Sequence, residues 1–359
     1  LSLLNTIEWL DKENMRVGPA CLLKDVYDDT LPKGRLLPAG SCGTVGVGGI
    51  TLGGGYGLFA REYGLTCDHV ISATMVDGNG KIHEVGSNHP AIWGLKGGGN
   101  GNFGIVTSFI FRTRPIPTDF STRKFKAYKL DSIRARLLLE TWFTHASKLP
   151  GHCFSAFVLN GRSLTILVTY FKGESAELQA MEDALSPICD KTTSSQTADI
   201  PSALKRYYGI QTPIFFKNSS AGYYSEFSEI QGCIDEVLST VVTTPGLIYQ
   251  INTLGGAINS SSYEKQSSYA HRGYEYLSEL QSYWSEGKDQ QRNQLLKAFK
   301  KIQDLFYENG NRAQYRNYPN IDFKEWDTAY YGDNYERLQG LKNKYDPDNT
   351  IRHEQSVRN

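Results

Sequence analysis

The chain has 359 residues, 40% of them hydrophobic and 12% aromatic, more than one ordinary domain needs, so two globular subdomains are expected. Its 38 basic and 38 acidic side chains are interleaved, which indicates neither a nucleic acid nor an acidic membrane surface as partner. No run of about 18 apolar residues suggests a membrane span, and the six cysteines are scattered without a C-x-x-C pair, which excludes zinc-site or redox-dithiol spacing and predicts no disulfide.

The chain opens without a start methionine or a charged-then-apolar leader. Residues 3–17 read as a strand-turn-strand unit already under way, so the chain is expected to begin inside a domain. Gly18-Pro19 is a turn, Leu22 to Leu31 a short helix, and Pro32-Lys33-Gly34 its stop. Next comes the run from Gly40 to Gly57, in which nine of eighteen residues are glycine. Glycine loses the most entropy on ordering and packs nothing, so this density is not ordinary core. A flexible linker would favour Ser, Pro and charge, whereas here Val45, Val47, Ile50 and Leu52 are interspersed. The run offers backbone N–H groups that a flat or anionic ligand can approach, and it reads as a ligand cradle.

Leu58 to Tyr63 suggests a helical turn. Val70 to Val76 is a strand, Asp77-Gly78-Asn79-Gly80 a hairpin turn and Lys81 to Val85 the returning strand. Gly99, Gly101 and Gly104 match G-x-G-x-x-G. The match leads into the β-rich stretch Ile105 to Phe111 instead of a helix, so it is not a dinucleotide fingerprint. Arg114-Pro115-Ile116-Pro117 marks a boundary.

Residues 118–310 change in texture. Strands are expected at Phe154 to Leu159, Leu164 to Phe171 and Leu247 to Leu254. Helices are expected at Ile133 to Leu149, Ser175 to Leu185, Arg272 to Trp284 and Gln290 to Tyr307. An antiparallel sheet layered with helices follows. Alternation puts Gln250 and Asn252 on one strand face, where two amides line a pocket or meet solvent. In the tail, Tyr315 to Asn320 is turn-rich, and Trp326 to Tyr345 reads as one helix ended by Asp346-Pro347. Its clustered tyrosines serve as core or as the polar wall of a pocket.

No G-x-S-x-G elbow, phosphate loop or H-E-x-x-H pair is present, and the histidines never stand at metal-ligand spacing, so no metal is expected. The sequons at Asn218 and Asn259 match a pattern that arises often by chance, which leaves the compartment open. A cofactor-dependent redox enzyme fits the glycines and tyrosines best. Two other classes stay open: a non-catalytic binding module, and a hydrolase with Cys42 as nucleophile.

These stretches together resemble the berberine-bridge-enzyme-like FAD-linked oxidases of the vanillyl-alcohol-oxidase, PCMH-type flavoprotein group. The resemblance rests on residues 38–57, on Tyr63-Gly64-Leu65-Thr66-Cys67-Asp68-His69-Val70 and on Leu95 to Thr107. It rests equally on the tail from Tyr330-Tyr331-Gly332-Asp333-Asn334 through Leu338, with Lys344 to Asn349 and Gln355-Ser356. It is dense over 34–112 and 312–357 and thin between. The implied fold is α+β. Residues 1–115 form the FAD-binding domain, 116–310 a substrate domain of antiparallel sheet flanked by helices, and 311–359 a segment packing back on the FAD domain.

The resemblance implies FAD, with Cys42 where many members link the flavin covalently. Expected contacts in the run are Gly40, Ser41, Cys42, Thr44, Val45, Gly48, Gly49, Leu52, Gly53, Gly54, Gly55 and Gly57. Asn102, Gly104, Ile105 and Val106 follow from the second cluster, and Tyr331 and Asn334 from the tail. Tyr330 is expected as catalytic base, with Tyr331, Gln250 and Asn252 in support. The implied activity is hydride removal from an alcohol or activated C–H of a small organic substrate, such as a sugar or secondary metabolite, with oxygen as acceptor. Two departures stand out. Ile50 occupies a position where many members have histidine, and no Arg-x-Gly-Gly-His-type loop occurs, so a fragment or an incomplete cofactor site is expected.

Overall fold

The structure is a computed structural model that describes residues 2–209 and 212–359. The first part of the chain runs β1 (Ile7–Trp9), β2 (Asn14–Val17), α1 (Leu23–Thr30), β3 (Arg35–Leu36), α2 (Val47–Leu52), α3 (Ala60–Tyr63), β4 (Val70–Asp77), β5 (Ile82–Val85), α4 (Ala91–Leu95) and β6 (Gly104–Arg112). Its sheet is antiparallel, in the order β1-β2-β6-β4-β5. The second G-x-G-x-x-G does open a strand, β6, as its β-rich continuation requires.

After β7 (Arg114–Pro115), which pairs with β3, the chain builds a larger sheet. Its elements are β8 (Phe120–Ala127), α5 (Ser132–Ala146), β9 (Cys153–Asn160), β10 (Ser163–Tyr170), α6 (Ala176–Leu185), β11 (Lys191–Thr197), α7 (Ile200–Lys205), β12 (Phe215–Tyr224), α8 (Ile234–Val242), β13 (Leu247–Thr253), α9 (Ser261–Gln266), β14 (Tyr276–Trp284) and α10 (Asp289–Glu308). The strand order is β11-β8-β10-β9-β13-β14-β12. Helices α5, α6, α8 and α10 cover one face: their apolar stripes, such as Leu295, Phe299, Ile302 and Phe306, pack on Phe157, Ile166, Tyr249, Ile251 and Leu280. The alternate residues of the same strands face the other way, toward the glycine run.

Two expected helices are corrected. Arg272 to Trp284 contains no helix; it carries β14, a strand hydrogen-bonded on both sides. Its three- and four-residue apolar spacing arose because Tyr276, Leu277, Ser278, Glu279 and Leu280 are all buried, which erases the period-two contrast of a half-exposed strand. The tail helix is two helices, α11 (Trp326–Tyr331) and α12 (Tyr335–Tyr345), broken at Gly332, whose φ is 48°.

The tail packs on the first sheet. Trp326, Tyr330, Tyr331, Leu338, Leu341 and Tyr345 share one core with Met75, Phe103, Phe109 and Phe111. Lys342, fully buried, donates to Asn102 O (3.0 Å), Ile351 O (2.6 Å) and Asp346 Oδ2 (2.5 Å). Removing one partner of such a buried pair costs about 3–5 kcal/mol, so this contact fixes the tail in register. All six cysteines are free. Both sequons are occupied by structure: Asn218 Nδ2 donates to Glu279 and Asn259 Nδ2 to Glu275. Among the described residues no helix is long and apolar enough to cross a membrane.

Candidate active site

A cleft of about 1590 Å³ separates the glycine run from the exposed face of the large sheet. One wall belongs to the glycine run: Gly40, Ser41, Cys42, Thr44, Val45, Gly46, Gly49, Ile50 and Gly57 line it. The opposite wall is Phe154, Ala156 and Val158 of β9, Gln250 and Asn252 of β13, and Glu279, Gln281 and Tyr283 of β14, with the segment 315–321 closing one side.

The glycines divide into two groups. A Cβ added at Gly49 would meet nothing within 4 Å, and one at Gly46 only Pro19 O at 3.9 Å, so these two present bare backbone to the cleft. At Gly48 a Cβ would strike Pro19, at Gly53 the Asn317 side chain, at Gly54 the Tyr269 ring and at Gly55 Thr66. Gly54 and Gly55 also have φ of 112° and 86°, a region that favours glycine. These four, with Leu52, lie outside the cleft lining, so only part of the run faces the cleft. They are glycine because the protein's own atoms approach there. The strip Gly40–Gly49 still fits a flat cofactor such as FAD: it offers open N–H groups, a cleft of sufficient volume beside it and one thiol near its start.

That thiol is Cys42, half-buried, 3.5 Å from Thr44 Oγ1. Tyr283, on the facing sheet, lines the same cleft. No histidine lines the cleft among the described residues, which leaves a Cys42 hydrolase without a general base.

The sheet wall carries a hydrogen-bonded polar array. Strand register sets Gln250 opposite Glu279 and Asn218 opposite Gln281. Tyr283 Oη donates to Gln281 Oε1 (2.8 Å), Gln281 Nε2 to Gln250 Oε1 (3.4 Å), and Gln250 Nε2 to Asn252 Oδ1 (2.8 Å). Asn252 Nδ2 then donates to Tyr56 Oη (3.1 Å), which lies 2.6 Å from Tyr318 Oη. Asn218 Nδ2 donates to the Glu279 carboxylate, and Tyr318 and Gln281 lie beside it.

Electrostatics ranks these groups. Glu279 is 4% exposed, and burial pushes its carboxyl up to about 7, although its hydrogen bonds favour the ionised form. Burial first, then the Glu279 charge, pushes the Tyr56 phenol well above its ordinary range, and the same two causes act on Tyr318. Near neutral pH the two phenols therefore hold their protons while Glu279 exchanges its own.

Of the residues expected from sequence, Gln250 and Asn252 lie in this array. Tyr330 and Tyr331, expected in catalysis, do not line the cleft. Tyr330 Oη accepts from Asn320 N (2.9 Å) and donates to Gln355 Oε1 (3.4 Å). Tyr331 Oη accepts from Arg316 Nε (2.8 Å) and Asn102 Nδ2 (3.3 Å). Asn102, in the loop before β6, accepts from Val357 N of the tail, and Asn334 donates to Ser268 O between α9 and β14. Gly104 abuts Met75, Ile105 is exposed and Val106 is core; none of the three lines the cleft. Sequence reasoning missed Tyr56, Tyr318, Glu279 and Gln281. The alternation Glu279, Gln281, Tyr283 along β14 was the available signal.

Comparison with known proteins agrees with this geometry. A model described as "FAD binding domain" matches residues 1–86, and one described as "Berberine and berberine like" matches 314–358. An uncharacterized FAD-linked oxidoreductase, YgaK, of Bacillus subtilis (strain 168) is 28% identical over 97% of this chain and 78% of its own. The monolignol oxidoreductase AtBBE-like 13 of Arabidopsis thaliana is 25% identical over 97% of this chain and 72% of its own. A solved chitooligosaccharide oxidase superposes with a TM-score of 0.84 at 22% identity, covering 100% of this chain and 81% of that one.

Proposed function

The chain belongs to the berberine-bridge-enzyme-like FAD-linked oxidoreductases, and we propose that it is an oxidase of neutral hydroxylated substrates with Glu279 as terminal proton acceptor. The relatives named as oxidoreductases support this reading over a cysteine hydrolase, and flavin absorbance of the purified protein separates it from a degenerate binding module of the same fold. The observation that carries the proposal is the hydrogen-bonded Asn252–Tyr56–Tyr318 chain on the cleft wall, beside Glu279, a buried carboxyl that burial pushes up to about 7.

When bound, FAD supplies the acceptor for a hydride equivalent from the substrate carbon. Gly40–Gly49 would hold it, with Cys42 available for a covalent bond. The chain's own residues handle the proton. Asn252 donates to Tyr56 Oη, which shares a hydrogen bond with Tyr318 Oη; with Tyr56 as the donor of that bond, its proton passes to Tyr318 and the Tyr318 proton onward to the neighbouring Glu279. One lone pair of Tyr56 Oη is left for the substrate hydroxyl. As that hydroxyl gives up its proton, each phenol passes one on, and no phenolate accumulates. A tyrosine thus receives the proton and the carboxylate retains it. Overall, alcohol and oxygen become carbonyl and hydrogen peroxide.

Substrate class follows from the same wall. Gln250 and Asn252 each keep one N–H and one lone pair after the bonds of the array, a match for adjacent hydroxyls. At the mouth Phe216 (58% exposed), Tyr283 and Trp284 present apolar faces, and the nearby Lys217 is paired with Asp322 (2.5 Å). An uncharged sugar presents hydroxyl edges and an apolar face and fits both features. The name of the solved chitooligosaccharide oxidase points the same way; the aromatic rim would also accept an aromatic alcohol of the kind named for the Arabidopsis relative.

The test is a panel of neutral mono- and oligosaccharides beside aromatic alcohols, scored by oxygen uptake and peroxide. Turnover of a sugar with one peroxide per oxygen supports the reading. Turnover only with an artificial electron acceptor, or only of charged substrates, contradicts it.

A further inference from the structure

We infer that Arg316 supplies the positive charge that faces the anionic part of the bound flavin nucleotide; the inference rests on the flavin reading above. Arg316 lines the cleft, yet is only 7% exposed. Its contacts are neutral: Nε donates to Tyr331 Oη (2.8 Å), and the guanidinium lies 5.3 Å from the Tyr330 ring centroid. One terminal nitrogen is 3.5 Å from His353 Nε2, which is itself 3.3 Å from Asn100 O. That ring nitrogen cannot donate to the carbonyl and accept from the guanidinium at once. The other terminal nitrogen has no hydrogen-bond partner among the described residues.

Most other buried cations of the molecule are bonded to the protein, and Lys96, buried without a hydrogen-bond partner among the described residues, lies outside the cleft. Arg272 forks onto Asp68, Lys342 binds Asp346, and Arg123 binds Glu174 and Glu182. Arg61, which also lacks a carboxylate, donates to the carbonyls of Leu149 and Leu254 and lies outside the cleft. Among the described residues no carboxylate lies within ion-pair distance of Arg316. A desolvated guanidinium with free donors and an open cleft in front of it calls for an anion.

Its position indicates which anion. Arg316 stands where the two glycine-rich segments meet: Asn317, the next residue, donates to Ile50 O (3.0 Å), and a Cβ at Gly99 would come 3.0 Å from Arg316 Nε. Tyr318, two residues on, turns toward Tyr56 and Glu279, whereas Arg316 turns toward Asn100 and His353. The charge therefore belongs to the glycine-lined side that the cofactor would occupy and not to the amide wall. FAD offers two anions, the pyrophosphate and the ring once it is reduced, and one guanidinium can complement either.

The test uses the full-length flavin-loaded protein and compares wild type with Arg316→Gln and Arg316→Lys. The midpoint potential is read by dye equilibration. Release of FAD is followed in a Cys42→Ala background, where no thioether can mask it. If the pyrophosphate is the partner, Arg316→Gln speeds FAD release at least tenfold and leaves the potential unchanged. If the reduced ring is the partner, the potential falls by about 30 mV or more, the equivalent of tenfold for a two-electron couple, and release is unchanged. Arg316→Lys shows the smaller effect in either case. A folded Arg316→Gln with both quantities unchanged overturns the inference, including the case in which only inhibition by added anions changes. Should Arg316→Gln not fold, Arg316→Met takes its place. A wild-type protein without flavin absorbance is a failure of the flavin reading itself.

Discussion

Tyr56 with Tyr318 and Tyr330 with Tyr331 are two tyrosine pairs of the same chemistry put to different uses. The first pair meets hydroxyl to hydroxyl at 2.6 Å, in contact with a cleft and with a buried carboxylate. The second pair packs ring to ring at 6.2 Å, and each hydroxyl is consumed by a different partner, Asn320 with Gln355 for one and Arg316 with Asn102 for the other. A phenol becomes a proton carrier only where an acceptor of matching pKa is hydrogen-bonded to it and a lone pair stays free. Where all its capacity is spent on the protein it is a fastener.

The largest break in this comparison is expected from Glu279→Gln. It should slow anaerobic flavin reduction roughly 10²–10⁴-fold, the usual range for a lost general base, with flavin content unchanged. Tyr318→Phe interrupts the chain but leaves Tyr56 and the carboxylate in place, and a loss of roughly ten- to a hundredfold in the same stopped-flow measurement is expected. Stability gives the next effect. Folding raises the Glu279 carboxyl from 4.5 to about 7, so its favourable contribution is complete below pH 4.5 and is lost as pH rises through 7. The interval corresponds to about 3 kcal/mol as an upper bound. Urea titrations should therefore find Glu279→Gln gaining on wild type between pH 5 and 8, with the difference flat below that window. Tyr330→Phe is the smallest: about 1 kcal/mol of stability from its lost hydrogen bonds, and a reduction rate within threefold of wild type. A hundredfold slower reduction in Tyr330→Phe would merge the two pairs and undo the distinction.

The two pairs were unequally legible in the sequence. Gly40–Gly57 announced itself by composition, because no core or linker tolerates that many glycines. Which of them face the cleft was not legible: Gly49 and Gly53 look alike in a sequence, and only the fold brings Asn317 against one and open space against the other. Gln250 and Asn252 were reached by alternation, since Ile251 beside them packs under the helices. Glu279 and Gln281 were lost because β14 is buried on both faces over most of its length, so its pattern passed for a helix and its polar residues for an outer surface. Tyr318 lay in plain view in a turn-rich stretch. Its importance depends on contacts with Tyr56, 262 residues earlier, and with Glu279, and no local pattern encodes such contacts.

The most direct test of the proton route is the pH dependence of anaerobic flavin reduction in wild type and in Glu279→Gln, with the fastest substrate of the panel. The account predicts a wild-type rate that climbs through about pH 7 as Glu279 ionises, and a slow variant whose rate no longer shows that step. A variant that keeps both the wild-type rate and its rise near pH 7 would contradict it, and the proton would then have to leave by a group other than Glu279.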